Sequence, residues 1–251
     1  MIKLTPVPKP AQLTKPEQAR LTRLFKKTGE SVWQKAYIVN ALRAMSNSKC
    51  CYCECNLIEE SKYLEVEHYQ HKDKYKALVM EWSNLLPSCK RCNVNKKDHD
   101  VKADPIIHPA KVYPNKHLML IGYRIKGFTK LGKETETVLY LNDTIKLCQK
   151  RFELAEKLTD SLDTLYELTK EYFDGTNKSA HRRNRIVSSF KGIITQCLPT
   201  SVFSATLSTV LLKQNSVTYK ELKSMFQKKG IWDNELIGLE KRAKSIALKI
   251  K

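Results

Sequence analysis

The sequence predicts an α+β protein, predominantly helical, with a small metal-supported module set between an amino-terminal helical segment and a carboxy-terminal helical lobe. Three observations predict it. Two Cys-x-x-Cys pairs, Cys50 with Cys53 and Cys89 with Cys92, have 35 residues between them, so four thiolates can converge on one tetrahedral zinc. Apolar residues recur at helical period on both sides of that stretch. Within it, LEVEHY at 64–69 alternates well enough for a short strand.

Length and charge bound the rest. A chain of 251 residues can bury a sizeable core, and two lobes are expected. Lys plus Arg number 45 against 26 for Asp plus Glu, a net charge of +19 that is spread along the chain. A polyanionic partner follows, nucleic acid first; in a merely soluble basic protein this self-repulsion would serve no purpose. Six of the eight cysteines lie between 50 and 92, a clustering that suits metal binding in a reducing compartment rather than a disulfide framework. The amino terminus has no apolar run of signal-peptide length, and no segment approaches the roughly 18 apolar residues of a membrane span. A cytoplasmic location is expected, with no membrane contact.

Residues 1–48 read as an arm followed by helices. Four prolines, Pro6, Pro8, Pro10 and Pro16, forbid a continuous helix and favour an extended arm on the surface. From Glu17 to about Ser46 the apolar spacing is helical, broken at Thr28-Gly29-Glu30-Ser31, with Ser31 as the expected cap of the second helix. Trp33 and Tyr37 are read as core. The module occupies 49–103, with turns and strands leading to a helix that begins at Cys89 or Cys92 and carries Lys90, Arg91, Lys96 and Lys97. Residues 104–141 read as a strap and β-hairpin: DPIIHP cannot hold a helix, and LMLIGYRI and TETVLYL flank KGFTKLGKE as two strands about a glycine-containing bend. From 142 to 251 the chain reads as helical to its end. Ile145, Cys148, Phe152, Ala155, Leu158, Leu162 and Leu165 mark one face of a long first helix. The basic cluster HRRNR at 181–185 is read as a solvated face.

Inside the cysteine frame sit Glu67, His68 and Asn84, and Asn93 follows the last cysteine directly. A carboxylate, an imidazole and two amides are the groups needed to hold a hard cation and deprotonate a water beside a phosphodiester. Taken alone, a Glu-His pair is ordinary surface at a strand end; the frame and the two asparagines raise it to a candidate metal-dependent nuclease site. The other histidines, His71, His99, His108, His117 and His181, have no comparable setting and are expected at the surface. Cys51 and Cys55 are spare thiols, and zinc pairings that use Cys51 with Cys53 or Cys53 with Cys55 stay open.

Glu67-His68, Asn84-Leu85-Leu86 and Cys89-Lys90-Arg91-Cys92-Asn93-Val94-Asn95-Lys96 resemble the HNH branch of the ββα-metal nucleases. The layout CYCE, VEHY, EWSNLLPSC, CNxxK and a following DPIIHP strap is similar to the PtuB family, the HNH subunits of Septu antiphage systems, and to related retron-encoded proteins. The motif match covers about 50 residues; the wider match rests on layout. The resemblance implies a ββα-metal (HNH) module supported by a structural Zn2+ on Cys50, Cys53, Cys89 and Cys92. It implies a catalytic Mg2+ or Mn2+ held by Glu67 and Asn93, His68 as base, and Asn84 holding the histidine-bearing loop. Lys96 could neutralise a neighbouring phosphate. Glu67 and Asn93 stand where many HNH proteins have Asp and His, and both keep an oxygen ligand suited to a magnesium-type ion. A PtuA-like ATPase subunit is the implied partner, DNA the favoured substrate with RNA, including tRNA, open, and a retron is part of the system in some relatives.

Other readings are a self-sufficient HNH endonuclease of the restriction or homing type and a zinc-supported nucleic-acid-binding module without catalysis. The last has no need of Glu67, His68 and Asn93 together.

Overall fold

A computed structural model describes residues 1–58, 64–176 and 178–251. Two compact units divide the chain: Met1–Leu118 with Lys126–Asn142, and Met119–Ile125 with Asp143–Lys251.

In the first unit, helix α1 (Lys15–Thr28) is capped by Thr14, whose hydroxyl accepts from the Glu17 N–H, and stops at Gly29 in the left-handed region (φ 74°). Helix α2 (Ala36–Ser46) starts at Lys35 without a side-chain cap, not at Ser31 as its sequence suggested. The intervening turn sends Val32 and Trp33 into the core instead. Strands β1 (Leu64–His68) and β2 (Leu85–Cys89) pair antiparallel, Leu64 opposite Cys89 and His68 opposite Leu85, and helix α3 (Lys90–Lys96) follows β2 without a break. The two strands lie against α2 and α3. Side chains of a strand alternate between faces, so covering both faces explains why Val66, Glu67 and His68 are all buried in succession.

The arm is extended as predicted but does not lie on the surface. Met1, Ile2, Leu4 and Leu13 are buried, the Leu4 N–H donates to Pro109 O at 2.9 Å, and the Trp82 indole N–H donates to Val7 O at 3.0 Å. Its apolar residues are worth more in the core than its prolines cost there, because Pro6 and Pro8 stay exposed. The strap is buried at Ile106, Ile107 and His108.

Strands β3 (Leu118–Ile121) and β4 (Arg124–Gly127) form a tight hairpin about Gly122 (φ 55°) and Tyr123, and TETVLYL is not its second strand. Helix α4 (Lys130–Val138) takes most of that segment. Thr129 caps α4 through the Gly132 N–H at 3.1 Å, and Thr135 on α4 accepts the Ile107 N–H at 2.8 Å, satisfying the buried strap. The capping threonine, not the glycine spacing, decides the segment.

In the second unit a π-helical turn (Thr144–Cys148) leads into α5 (Gln149–Asp174), which ends at Gly175 (φ 90°). Then come α6 (Ala180–Gln196), α7 (Ser204–Thr209), α8 (Ser216–Lys228) and α9 (Asn234–Ile246). Ala155, Leu158, Leu162 and Leu165 form the buried stripe of α5, but Ile145 and Phe152 from the predicted face are exposed. Ile145 lies within the wider π turn, which puts it out of phase with the α5 stripe; Phe152, beyond that turn, sets its ring edge-on against Tyr123 at 5.1 Å instead. Phe190 on α6 packs its ring against Tyr219, Phe226 and Trp232 at centroid distances of 6.1, 5.0 and 5.6 Å. The chain does not stay helical to its end. Strand β5 (Lys249–Ile250) pairs parallel to β3, Met119 opposite Lys249, after the Leu248 N–H has been taken by Thr209 Oγ1 at 2.8 Å. Among the described residues no helix is long and apolar enough to cross a membrane.

A Cβ on Gly132 would stand 2.1 Å from the His117 carbonyl oxygen, whereas one on Gly238 of α9 meets nothing within 4 Å. Gly132→Ala is therefore expected to destabilise the protein by about 1–3 kcal/mol through overpacking, and Gly238→Ala to be neutral or stabilising by up to about 1 kcal/mol. Chemical denaturation of the two variants checks the contrast.

Candidate metal centre and adjoining polar site

Two backbone devices deliver the four cysteines. Cys50 and Cys53 sit on a turn closed by Glu54 N–H to Cys50 O at 3.0 Å and Cys50 N–H to Cys55 O at 2.9 Å, and tied to β2 by Cys51 N–H to Pro87 O at 2.8 Å. The turn needs Glu54 at φ 65°, a region costly for a non-glycine residue. Its buried carboxylate is held by the Met1 ammonium at 2.6 Å and lies 3.8 Å from Lys49 Nζ. Cys89 ends β2 and caps α3, its sulfur accepting the Cys92 N–H at 3.4 Å. Arg91 steadies that corner, donating to Cys92 Sγ at 3.2 Å and to Tyr140 O at 2.9 Å.

The sulfurs of Cys50, Cys53, Cys89 and Cys92 all lie within 4.8 Å of one another, and all four residues are buried. Cys53 and Cys89 are 3.7 Å apart. Tetrahedral Zn–S bonds of about 2.3 Å put neighbouring sulfurs about 3.8 Å apart. The four cysteines therefore fit a metal such as zinc, and the two matching pairs make the cluster. Cys51 stays outside it: burial pushes its thiol well above the ordinary range, with the neighbouring Cys50 adding to the effect.

Beside this centre, β1 presents Glu67 and His68 to opposite covers. His68 is 5% exposed, its ring set edge-on against Trp33 with centroids 4.5 Å apart and planes at 79°. Its Nε2 lies 2.9 Å from Val79 O. A carbonyl only accepts, so Nε2 carries the proton, and Nδ1 of the neutral ring keeps its lone pair. Burial pulls the imidazole down to about 4, which makes the neutral form the resident one at pH 7.

Glu67 is 3% exposed. Lys96 Nζ lies 2.7 Å from its Oε1, and the Tyr52 hydroxyl donates to the same oxygen at 3.5 Å. Burial raises the carboxyl to about 7, against the pull of Lys96. Asn93, one turn before Lys96 on α3, donates through Nδ2 to Glu65 Oε2 at 3.1 Å. Asn93 and Lys96, three apart on a helix, thus meet Glu65 and Glu67, two apart on a strand; each pair shares one face.

Asn84 does not join this group. Its Nδ2 donates to Gln70 O at 3.1 Å and Leu78 O at 3.2 Å, its Oδ1 accepts from Gln70 N–H at 2.7 Å, and its carbonyl accepts from Tyr69 N–H at 2.9 Å. It fastens the loop that follows His68. Among the described residues no hydrogen bond goes to Glu67 Oε2, Asn93 Oδ1 or His68 Nδ1, and none of the three is sealed from solvent without a partner. Two are hard oxygen donors of the kind Mg2+ prefers, and the Glu65 carboxylate adds another on the same face of β1.

Two expectations are corrected. Lys96 cannot neutralise a phosphate at the surface, because it is 1% exposed and spent on Glu67 and on the His68 carbonyl, to which it donates at 2.9 Å. His108 is not a surface residue: it is 5% exposed, with Nε2 3.3 Å from Ser83 O and Nδ1 accepting the Ala110 N–H at 3.2 Å. The sequence reading also missed Glu65, whose position two residues before Glu67 on an alternating strand was the available signal, and the Trp33 face behind His68, which carried none.

Zinc analysis is expected to return one equivalent per chain. Cys89→Ser should remove both the metal and the cap of α3 and leave little soluble protein, whereas Cys148→Ser should keep full zinc content and solubility.

No family model matches the chain, and no solved structure matches it. It is 42% identical over 219 residues to a Septu protein PtuB of Bacillus thuringiensis, covering 87% of this chain and 84% of that one. It is 27% identical over 172 residues to a Septu protein PtuB of Bacillus mycoides (strain KBAB4), covering 53% and 58%. With that extent of likeness behind a buried four-cysteine clamp and the polar group beside it, the chain belongs to the Septu PtuB family.

Proposed function

We propose that this chain is the nuclease subunit of a Septu-type antiphage assembly: a metal-dependent HNH endonuclease that hydrolyses phosphodiesters, DNA by preference, alongside a PtuA-like ATPase. The observation that carries the reading is the set of lone pairs left over at one end of β1. Among the described residues, hydrogen bonds use up Glu67 Oε1, Asn93 Nδ2 and His68 Nε2, and none goes to Glu67 Oε2, Asn93 Oδ1 or His68 Nδ1. In the proposed mechanism the two oxygens would serve a cation and the ring nitrogen would accept a proton.

In this reading His68 Nδ1 takes the proton of the attacking water. Val79 fixes the tautomer, Trp33 fixes the ring plane, and Asn84 fixes the loop that supplies Val79's neighbours. Glu67 and Asn93 would hold a divalent cation, which when bound would supply neutralisation of the charge that develops on the phosphate and the leaving oxygen. The chain's net charge of +19 supports a polyanionic substrate. Membership of the Septu PtuB family supports an antiphage role and a PtuA-like partner subunit; that this partner is an ATPase belongs to the proposal.

Plasmid and RNA substrates tested side by side with Mg2+ check the assignment. Wild-type protein is expected to cut DNA, and His68→Ala to lose about 10²–10⁴-fold in rate with zinc content and fold unchanged; an active His68→Ala protein refutes the mechanism. At limiting Mg2+ the rate should rise with pH through about 7, because Glu67 binds the cation only after losing its proton and its carboxyl is held near 7. His68 adds no loss until the pH approaches 4, where its ring gains a proton. Saturating Mg2+ should move the rise to lower pH by competing with the proton. For the ATPase, Ile145 and Val217, 68% and 69% exposed on the helical lobe, are the substitutions to make. Ile145→Asp with Val217→Asp is expected to abolish co-purification with a PtuA-like subunit while plasmid cleavage persists.

A further inference from the structure

The lysine that closes α3 has a place in this site that its charge alone does not explain. Lysine is among the side chains least often fully buried, and then only when paired. Lys96 is 1% exposed, and its ammonium meets two acceptors: Glu67 Oε1 at 2.7 Å and the backbone oxygen of His68 at 2.9 Å. One group thus touches both residues to which the reaction is assigned, the carboxylate of one and the main chain of the other. It does so without occupying Glu67 Oε2 or His68 Nδ1.

The origin of the contact is also defined. Cys89 caps α3 and Cys92 lies in its first turn, so the cysteine centre sets the start and rotation of a helix of seven residues. Asn93 and Lys96 follow on the side that faces β1, and their partners are Glu65 and Glu67. A carboxylate free to rotate would offer either oxygen to a cation. Oε1 is held by Lys96 and approached by the Tyr52 hydroxyl at 3.5 Å, contacts that favour one orientation of the carboxylate and involve only that oxygen.

We propose that Lys96 is a positioning residue for hydrolysis: it locks Glu67 with Oε2 towards the cation, fixes the end of β1 at His68, and transmits to both the placement set by the cysteine centre. The inference rests on the nuclease reading and deepens it. Lys96 touches neither substrate nor cation; it acts through Glu67 and His68. Its ammonium also balances the buried carboxylate when no cation is bound, so the two residues keep their arrangement before substrate arrives.

The test uses the full-length, zinc-loaded chain, with zinc content and near-ultraviolet circular dichroism confirming the fold. Misplacement of reacting groups by about 1 Å costs about 100-fold in rate. Lys96→Met is expected to lower kcat at saturating Mg2+ by about that factor with KM for DNA little changed. Lys96→Arg keeps the charge but spreads its donors over a planar fork that cannot converge on the same two oxygens; a fall of about 10-fold is expected with Tm near that of the wild type. If Lys96→Met does not fold, Lys96→Arg carries the kinetic arm. The second arm needs no activity. In Mg2+-free buffer Glu67→Gln and Lys96→Met should each lower Tm, and the double variant should recover much of the loss because it buries no unpaired charge. A folded variant with kcat within twofold of the wild type overturns the inference while leaving the nuclease reading intact, and strictly additive Tm losses overturn it equally. Wild-type protein that cuts neither DNA nor RNA with any divalent cation, alone and together with a PtuA-like subunit, overturns the nuclease reading and this inference together, whatever the Tm arm returns.

Discussion

Everything at the candidate site depends on the convergence of four buried sulfurs from two chain segments. Cys50 and Cys53 lie on a turn that follows α2, and Cys89 and Cys92 lie where β2 passes into α3. A metal there closes a connection of 35 residues, which by loop-closure arguments removes on the order of 4 kcal/mol of unfolded-state entropy. A two-stranded sheet and a helix of seven residues are too small to hold their shape otherwise. The sulfurs also set the register: a helix capped by Cys89 must put Asn93 and Lys96 over Glu65 and Glu67. The arm joins the same arrangement at Glu54, so the amino-terminal residues support the clamp and are not an appendage to it.

Burial then divides the chemistry between two neighbours. Glu67 and His68 are adjacent and nearly inaccessible, yet they face different covers and respond in opposite senses. Burial raises the carboxyl and lowers the imidazole, in each case favouring the neutral form. For the role proposed for His68 that is the useful state, since a neutral ring with Nε2 tied to a carbonyl keeps its Nδ1 lone pair. For Glu67 it is the unhelpful state, and Lys96 opposes it. The site thus depends on one buried cation offsetting the cost of a buried anion beside an uncharged base.

Much of this was legible in the sequence, because the decisive signals were local. The Cys-x-x-Cys spacing marked the clamp, LEVEHY marked β1 to within a residue, and the apolar stripe of α5 marked its buried face from Ala155 onward. What was not legible depended on tertiary partners. A proline-rich arm looks superficial until Met1, Leu4 and Leu13 are seen filling the core. KGFTKLGKE with its flanks reads as a hairpin, and it is the cap from Thr129 to Gly132 and the service of Thr135 to the strap that make it a helix. Lys96 looked like a surface cation because lysines on helices usually are, and only the facing carboxylate and carbonyl reverse that. His108 misled in the same way. Glu65 stands out only once Asn93 is seen to donate to it across the helix–strand contact, because by itself it is one more polar residue of an alternating strand.

We propose that Glu67 and Asn93 form an oxygen-donor cation site distinct from the cysteine centre and beside His68. Electron paramagnetic resonance of Mn2+ titrated into zinc-loaded protein reads this directly, because zinc is silent. One Mn2+ bound per chain is predicted for the wild type and for His68→Ala, and loss of that binding in Glu67→Ala. Absence of a stoichiometric Mn2+ signal in the wild type, or its persistence in folded Glu67→Ala, would show that Glu67 and Asn93 do not form such a site.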